Sequence, residues 1–222
     1  MLPTNILCRT FFIRASQYGT AFAIEVNGTQ YLVTAKHLID PIANEIDLQI
    51  FYNKQWLTGR ADVVGRARGE VDIAVLKVHQ QLTPKAYEVA IGFGEIELGQ
   101  DVYFLGFPFK MWADYGELTA GLPSPFIKKG TLSAIQMDGP KLLYVDAINN
   151  EGFSGGPLYF FPRARPQEVR IAGVVSKYRT EEESVLDATG AATELTVPYN
   201  TGFLVAYDIK YAVALADRSV RA

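Results

Sequence analysis

Cysteine is almost absent: the chain carries one, Cys8, in 222 residues. One thiol allows no disulfide within the chain and no Cys-x-x-Cys metal pair. The fold must therefore be held by buried apolar surface, and the expected setting is a reducing one, with the cytoplasm favoured. Histidine is nearly as scarce, with only His37 and His79, and no His-Glu-x-x-His run appears. A metal site would have to lean on carboxylates, and no metal or cofactor is expected. An excess of positive charge is missing too: 21 basic against 24 acidic residues give a net charge of −3. Basic residues form no stripe, so a nucleic-acid partner is not expected. No apolar run reaches the length of a membrane span, so no membrane partner is expected. The opening "MLPTNILCRTFFIRAS" is interrupted by Pro3, Asn5 and Arg9. It makes a poor signal peptide and reads instead as an N-terminal strand.

What is present is a succession of short apolar segments punctuated by turn residues. "TAFAIEVNGTQYLVTAKHLI" holds two such runs around Asn27-Gly28. That pair is a hairpin signal, because a type I′ turn needs positive φ at both central positions. "IDLQIFY", "VDIAVLKV", "DVYFLGFPF", "GTLSAIQM", "KLLYVDAI", "VRIAGVVSKY" and "TGFLVAY" follow, with Gly, Pro, Asn or Asp at their borders. Breaks about every ten residues point to an all-β sandwich or barrels rather than βαβ units. Only "YDIKYAVALADRSV" reads as a helix, about 208–219. Its Ile209, Ala212, Val213 and Ala216 share one face, and Asp208 is a candidate N-cap. Residues 80–100 read as a connection between two β halves, and 179–199 as a long irregular loop.

One stretch asks for a chemical explanation. "NEGFSGGP", residues 150–157, sets Ser154 among three glycines and a proline. A serine hydroxyl is a weak nucleophile and needs a base. His37 follows an apolar strand in "YLVTAKHLID", whereas His79 sits at a polar strand end and reads as solvated. The base in turn needs a carboxylate to fix its tautomer. Asp72, inside the apolar "VDIAVLKV", is the candidate, since an unpaired charge there would be costly.

With those residues in hand, "TAKH", "DIAVLKV" and "GFSGGPL" resemble the three signature segments of the trypsin-like serine proteases, in the same chain order. The spacing is closest in style to the bacterial HtrA/Deg protease domain. The resemblance covers roughly residues 15–215, and no PDZ module is expected after it. It implies an all-β fold of two six-stranded antiparallel β-barrels of the chymotrypsin type with a C-terminal helix. Residues 1–95 would carry His37 and Asp72, and residues 96–222 would carry Ser154. It further implies a Ser154–His37–Asp72 triad, an oxyanion hole made by the amides of Gly152 and Ser154, and a polypeptide substrate bound as an extended strand along "GVVSKY". Ser176, Lys177 and Tyr178 on that strand, with Ile148, Asn150 and Gly202, would line the specificity pocket. No acid appears in 147–150, so small or medium apolar P1 residues are expected.

Departures from the pattern are informative. Phe153 precedes the serine where digestive relatives carry an acid, so no activation by a newly cut N-terminus is expected. Lys36 replaces a usual alanine, which is tolerated if its side chain points to solvent. The aromatic run 107–117 reads as a loop folding its rings onto a barrel, or as an activation loop. The acidic run Glu181–Glu183 reads as solvated surface, or as a bias against acidic substrate side chains. Rival readings are a silent scaffold that binds peptides without cutting them and an esterase using the same three residues.

Overall fold

The computed structural model describes residues 3–115 and 121–220. A four-residue helix, α1 (Thr4–Leu7), precedes the first strand, so the N-terminal segment is not extended throughout. Then come β1 (Thr10–Arg14), β2 (Tyr18–Val26), β3 (Thr29–Thr34), β4 (Glu45–Tyr52), β5 (Gln55–Arg66) and β6 (Ala74–Val78). These six close into an antiparallel barrel in the order β1-β2-β3-β6-β5-β4. The Asn27-Gly28 turn joins β2 to β3 with φ of 51° and 76°, the two positive values that a type I′ turn demands.

The second half runs through β7 (Ala90–Ile91), β8 (Asp101–Gly106), β9 (Phe126–Gln136), β10 (Leu142–Asp146), β11 (Pro157–Phe160), β12 (Arg170–Leu186) and β13 (Ala192–Asp208). Their order is β11-β8-β9-β10-β13-β12-β7, and a further β11–β12 pairing joins the sheet back on itself. The architecture is chymotrypsin-like. One detail departs from a wholly antiparallel expectation: the two residues of β7 pair parallel to Arg170 and Ile171 at the start of β12.

The near-continuous apolar runs follow from strands that bury both faces. On β3, Leu32 packs inside the first barrel with Phe11, Leu48 and Leu76. Its neighbours Tyr31 and Val33 face the other way, into a core shared by the two halves. On β11, Leu158 and Phe160 fill the second barrel with Phe104 and Val145, while Tyr159 joins the shared core. Each fully buried Leu, Val or Phe contributes about 1.5–3 kcal/mol. The final helix, α2 (Lys210–Val220), delivers Ala212 and Ala216 to that same shared core. The Asp208 carboxylate accepts from the Lys210 amide at 2.9 Å, satisfying one donor at its start.

Two sequence expectations are corrected. Residues 179–199 are not an irregular loop; they form a regular two-stranded ribbon in which β12 and β13 stay paired out to Leu186 and Ala192. The turn at its tip is tied by Asp187, whose Oδ1 accepts from the Thr189 amide, the Thr189 hydroxyl and the Ala191 amide. Asp72 does not lie within a strand, since β6 begins two residues later at Ala74.

Candidate active site

The β3–β6 ladder brings two candidate residues together. Thr34 is paired with Ala74, and the strands run antiparallel. His37, three residues beyond Thr34, and Asp72, two residues before Ala74, therefore leave the ladder at the same end. His37 sits in a 3-10 turn, Lys36–Leu38, which aims its ring back toward Asp72. His37 Nδ1 lies 2.7 Å from Asp72 Oδ2, and the His37 amide donates to Asp72 Oδ1 at 3.0 Å. The carboxylate is 15% exposed and the imidazole 42%. Burial pushes the Asp72 carboxyl up; hydrogen bonds from the His37 ring, the Ser176 hydroxyl and the His37 amide outweigh it and hold the group below its ordinary range. His79, by contrast, is exposed and 3.9 Å from Asp62, on the outside of the first barrel.

Ser154 occupies the turn between β10 and β11. The Gly155 amide donates to Val175 O at 2.7 Å and the Val175 amide to Gly156 O at 2.9 Å, which locks this turn against β12. The first barrel holds it from the other side: the Thr20 amide donates to Ser154 O at 3.0 Å and the Thr20 hydroxyl to Gly152 O at 2.7 Å. Gly152 has φ of 98°, and a Cβ there would collide with the Phe107 carbonyl. Gly155, with φ of 82°, faces the same collision with Thr20 O. Only glycine fits either position.

The turn leaves two donors free. Among the described residues, the amides of Gly152 and Ser154 donate to nothing. The Glu151 carbonyl is engaged by the Phe109 amide at 3.0 Å. In a trans peptide the C=O and N–H point opposite ways, so this bond turns the Gly152 N–H away from Phe109. Phe109 itself has φ of 51° and ψ of 31°, a left-handed conformation that costs about 1–3 kcal/mol in a non-glycine residue. Much of the 107–117 loop packs as expected: Phe107 stacks on Phe12 with centroids 4.8 Å apart, and Trp112 meets Phe51 at 5.2 Å. Its residues 116 and 117 lie outside the described residues.

The nucleophile candidate does not reach its base directly. Ser154 Oγ donates to the Ser176 carbonyl at 2.7 Å, and no hydrogen bond joins it to His37 among the described residues. Ser176, buried on β12, donates its own hydroxyl to Asp72 Oδ2 at 2.6 Å. Asp72 thus binds His37 and Ser176 at once, and Ser176 binds Ser154 in turn.

Of the predicted pocket residues, Tyr178 stands on β12 two positions past Ser176, Lys177 is exposed between them, and Gly202 stands farther along the ribbon on β13, its carbonyl accepting from the Ala147 amide at 2.8 Å. Ile148 is exposed and Asn150 half-buried on the loop before Ser154. Sequence reasoning missed Lys128, on β9. Its Nζ donates to Ile148 O at 2.6 Å and Asn150 Oδ1 at 2.5 Å, and lies 5.4 Å from the centre of the buried Phe153 ring. Partial burial lowers its pKa. A lysine in a strand carries no mark of such a role in sequence. The Lys36 ammonium is not free in solvent; it is tied to the carbonyls of Ala67 at 3.2 Å and Gly69 at 2.8 Å.

A trypsin-like peptidase domain model matches residues 19–160, more than half of the chain and inclusive of all three candidate residues. The chain belongs to the trypsin-like peptidase family. It is accordingly a serine-type peptidase, a hydrolase. Solved structures agree on the fold of this peptidase. It is similar to the active form of the Rv3671c protease from M. tuberculosis, with a TM-score of 0.61 and 16% identity over 96% of this chain and 81% of that one. It is also similar to the HtrA-type protease AlgW solved with a tripeptide: the TM-score is 0.58, the identity 20%, and the match spans 96% of this chain but 60% of that one. The MamO protease domain from Magnetospirillum magneticum aligns with a TM-score of 0.53 and 17% identity over 95% and 96% of the two chains. No curated protein matches the peptidase in sequence.

Proposed function

We propose that the peptidase is an endopeptidase that cuts extended polypeptides through Ser154, His37 and Asp72, by way of an acyl-enzyme. The observation that carries this reading is the interlocked set of hydrogen bonds in which Asp72 takes His37 and Ser176 while Ser176 takes Ser154. A substrate strand laid antiparallel along β12 presents an amide N–H to the Ser176 carbonyl. That N–H replaces the Ser154 hydroxyl, which is then free to rotate toward His37. Oγ attacks the scissile carbonyl carbon as its proton passes to His37 Nε2, and Asp72 stabilises the imidazolium. The carbonyl oxygen, now negative, is taken by the Gly152 and Ser154 amides, which are left unspent for it. The C–N bond breaks as His37 returns the proton to the leaving amine. Water then repeats the sequence on the ester and frees the acid.

The pocket supports small or medium apolar P1 residues. Exposed Ile148 and half-buried Tyr178 offer apolar surface for such a side chain, and a Cβ at Gly202 would meet nothing within 4 Å. No carboxylate of 147–150 is available to pair with a P1 lysine or arginine.

One observation favours the rival, a scaffold that binds peptides without cutting them: Ser154 is bonded to Ser176 and not to His37. A fluorophosphonate probe separates the two. Labelling of the native protein and none of Ser154→Ala supports the endopeptidase. Failure to label the native protein, with peptide affinity retained, supports the scaffold. Mass spectrometry of a casein digest then reads the P1 preference from the cut sites.

A further inference from the structure

The active-site strand does not stop at the active site. β12 carries Ser176 and Tyr178 beside the candidate nucleophile and then continues through Leu186. Its early residues are paired on both sides, with β11 on one and with β7 and then β13 on the other. From Lys177 onward only β13 pairs with it among the described residues. One edge of backbone donors and acceptors is therefore open from the nucleophile to the ribbon tip. Residues 180–186 alone extend roughly 23 Å, at about 3.3 Å per residue.

The ribbon is dressed for a partner. Glu181 stands opposite Tyr199 and Glu183 opposite Val197, on one face; Glu182 stands opposite Pro198 on the other. Tyr199, Val197 and Leu195 are exposed. A two-stranded ribbon with an exposed apolar face is marginal by itself, and a third strand adds both hydrogen bonds and cover. The charge changes along this edge. Lys177 and Arg179 come first, and Arg179 Nε lies 3.5 Å from Glu181 Oε1. Glu182 accepts from the Thr196 hydroxyl at 3.2 Å, and Glu183 has no ion pair among the described residues.

We propose that this ribbon is a docking strand for the substrate itself, and that it selects basic residues several positions N-terminal to the scissile bond. The inference rests on the endopeptidase reading above and extends its groove. Direction follows from pairing: a substrate antiparallel to β12 with P1 at Ser176 sends its N-terminal side along Thr180–Leu186. As a third strand it places alternate side chains beside Glu181 and Glu183 on one face and beside Glu182 on the other. Lysine or arginine there meets opposite charge, and glutamate or aspartate meets like charge. The partner is thus a polypeptide with an extended, positively charged segment upstream of an apolar P1 residue.

Binding to the Ser154→Ala protein tests this without turnover. The probes are fluorescein-labelled peptides sharing a short core with valine at P1. They carry an N-terminal extension of about six residues, either Lys-Thr repeats or Glu-Thr repeats, or the Lys-Thr extension moved to the C-terminal side. The N-terminal Lys-Thr peptide is expected to bind about tenfold more tightly than the core, and the other two no more tightly than the core. The gain should shrink at about 0.5 M salt and vanish when Glu181, Glu182 and Glu183 are all changed to Gln, with binding of the core unaltered. A gain that survives the triple change, or that appears equally with the extension on the C-terminal side, overturns the proposal, as does no gain at all. Labelling of the native protein by the fluorophosphonate keeps the two readings apart. Labelled protein without the lysine gain refutes the ribbon alone; unlabelled protein with the gain refutes the endopeptidase and leaves the docking strand standing.

Discussion

Ser176 donates its hydroxyl to Asp72 Oδ2 across 2.6 Å, onto the same carboxylate oxygen that His37 Nδ1 approaches at 2.7 Å. The two bonds fix the carboxylate from separate parts of the chain, one on β12 and one in the turn after β3. Replacing Ser176 by Ala removes one of them and leaves a half-buried charge short of a donor. A hydrogen bond to a charged group is worth about 1.5–3 kcal/mol, so kcat/KM should fall about tenfold or more. Ser176→Thr, which keeps the hydroxyl, should recover most of the loss. Steady-state kinetics on a peptide substrate checks both.

Asp72 also makes a prediction about acid. Its carboxyl is held below the ordinary range in the folded protein, chiefly by hydrogen bonds that overcome its burial. A carboxyl whose pKa drops on folding adds stability above its unfolded value, near pH 4, and loses that contribution as the pH falls through the lowered folded value. Urea unfolding of the native protein and Asp72→Asn should therefore differ most at neutral pH and converge below about pH 4. In activity, Asp72→Asn should cost about three to four orders of magnitude at neutral pH, because the imidazole loses its fixed tautomer.

Gly152→Ala should be more damaging than its size implies. Alanine must adopt φ of 98° and push its Cβ against the Phe107 carbonyl. The turn must shift, and one of the two free amides leaves its position. Loss of one such donor costs about 10²–10³ in kcat. Acylation by a nitrophenyl ester, followed in a single turnover, should slow by that factor while Asp72 and His37 remain paired.

Lys128 provides a test of the loop before the serine. Its ammonium binds Ile148 O and Asn150 Oδ1, which are otherwise held to little else on that side. Lys128→Met removes both bonds and should lower kcat/KM about tenfold with a small change in melting temperature. Lys128→Arg, which preserves the charge and offers more donors, should restore part of the rate. A drop in melting temperature with no effect on rate would show that the lysine serves only stability.

How far these features can be read from sequence depends on what stabilises each. The Asn27-Gly28 hairpin is legible because positive φ leaves few residue choices, and α2 because its apolar face repeats at helical spacing. The segments around His37, Asp72 and Ser154 stand out through residue type. β5 is not legible: Gly59, Arg60 and Asp62 interrupt any alternation, and the strand is held by its pairing with β4 and β6 rather than by burial. The ribbon escapes notice for the same reason, since its acidic, exposed residues show no buried face. Lys128 and Lys36 escape because a long flexible side chain reveals its target only in three dimensions. The Ser154–Ser176 bond is a choice of rotamer, which no pattern of residue types encodes.

The last helix returns to the half where the chain began. α2 packs on β5, β2 and β6; Leu215 lies against Gly65, and Asn27 Nδ2 donates to Asp217 Oδ1 at 2.7 Å. A nascent chain on the ribosome can close its first barrel early, yet the outer wall of that barrel stays bare until residues 210–217 have emerged. Synthesis thus runs for more than a hundred codons after β6 with a greasy seam open to whatever waits at the exit tunnel, and that seam closes only once α2 has been made.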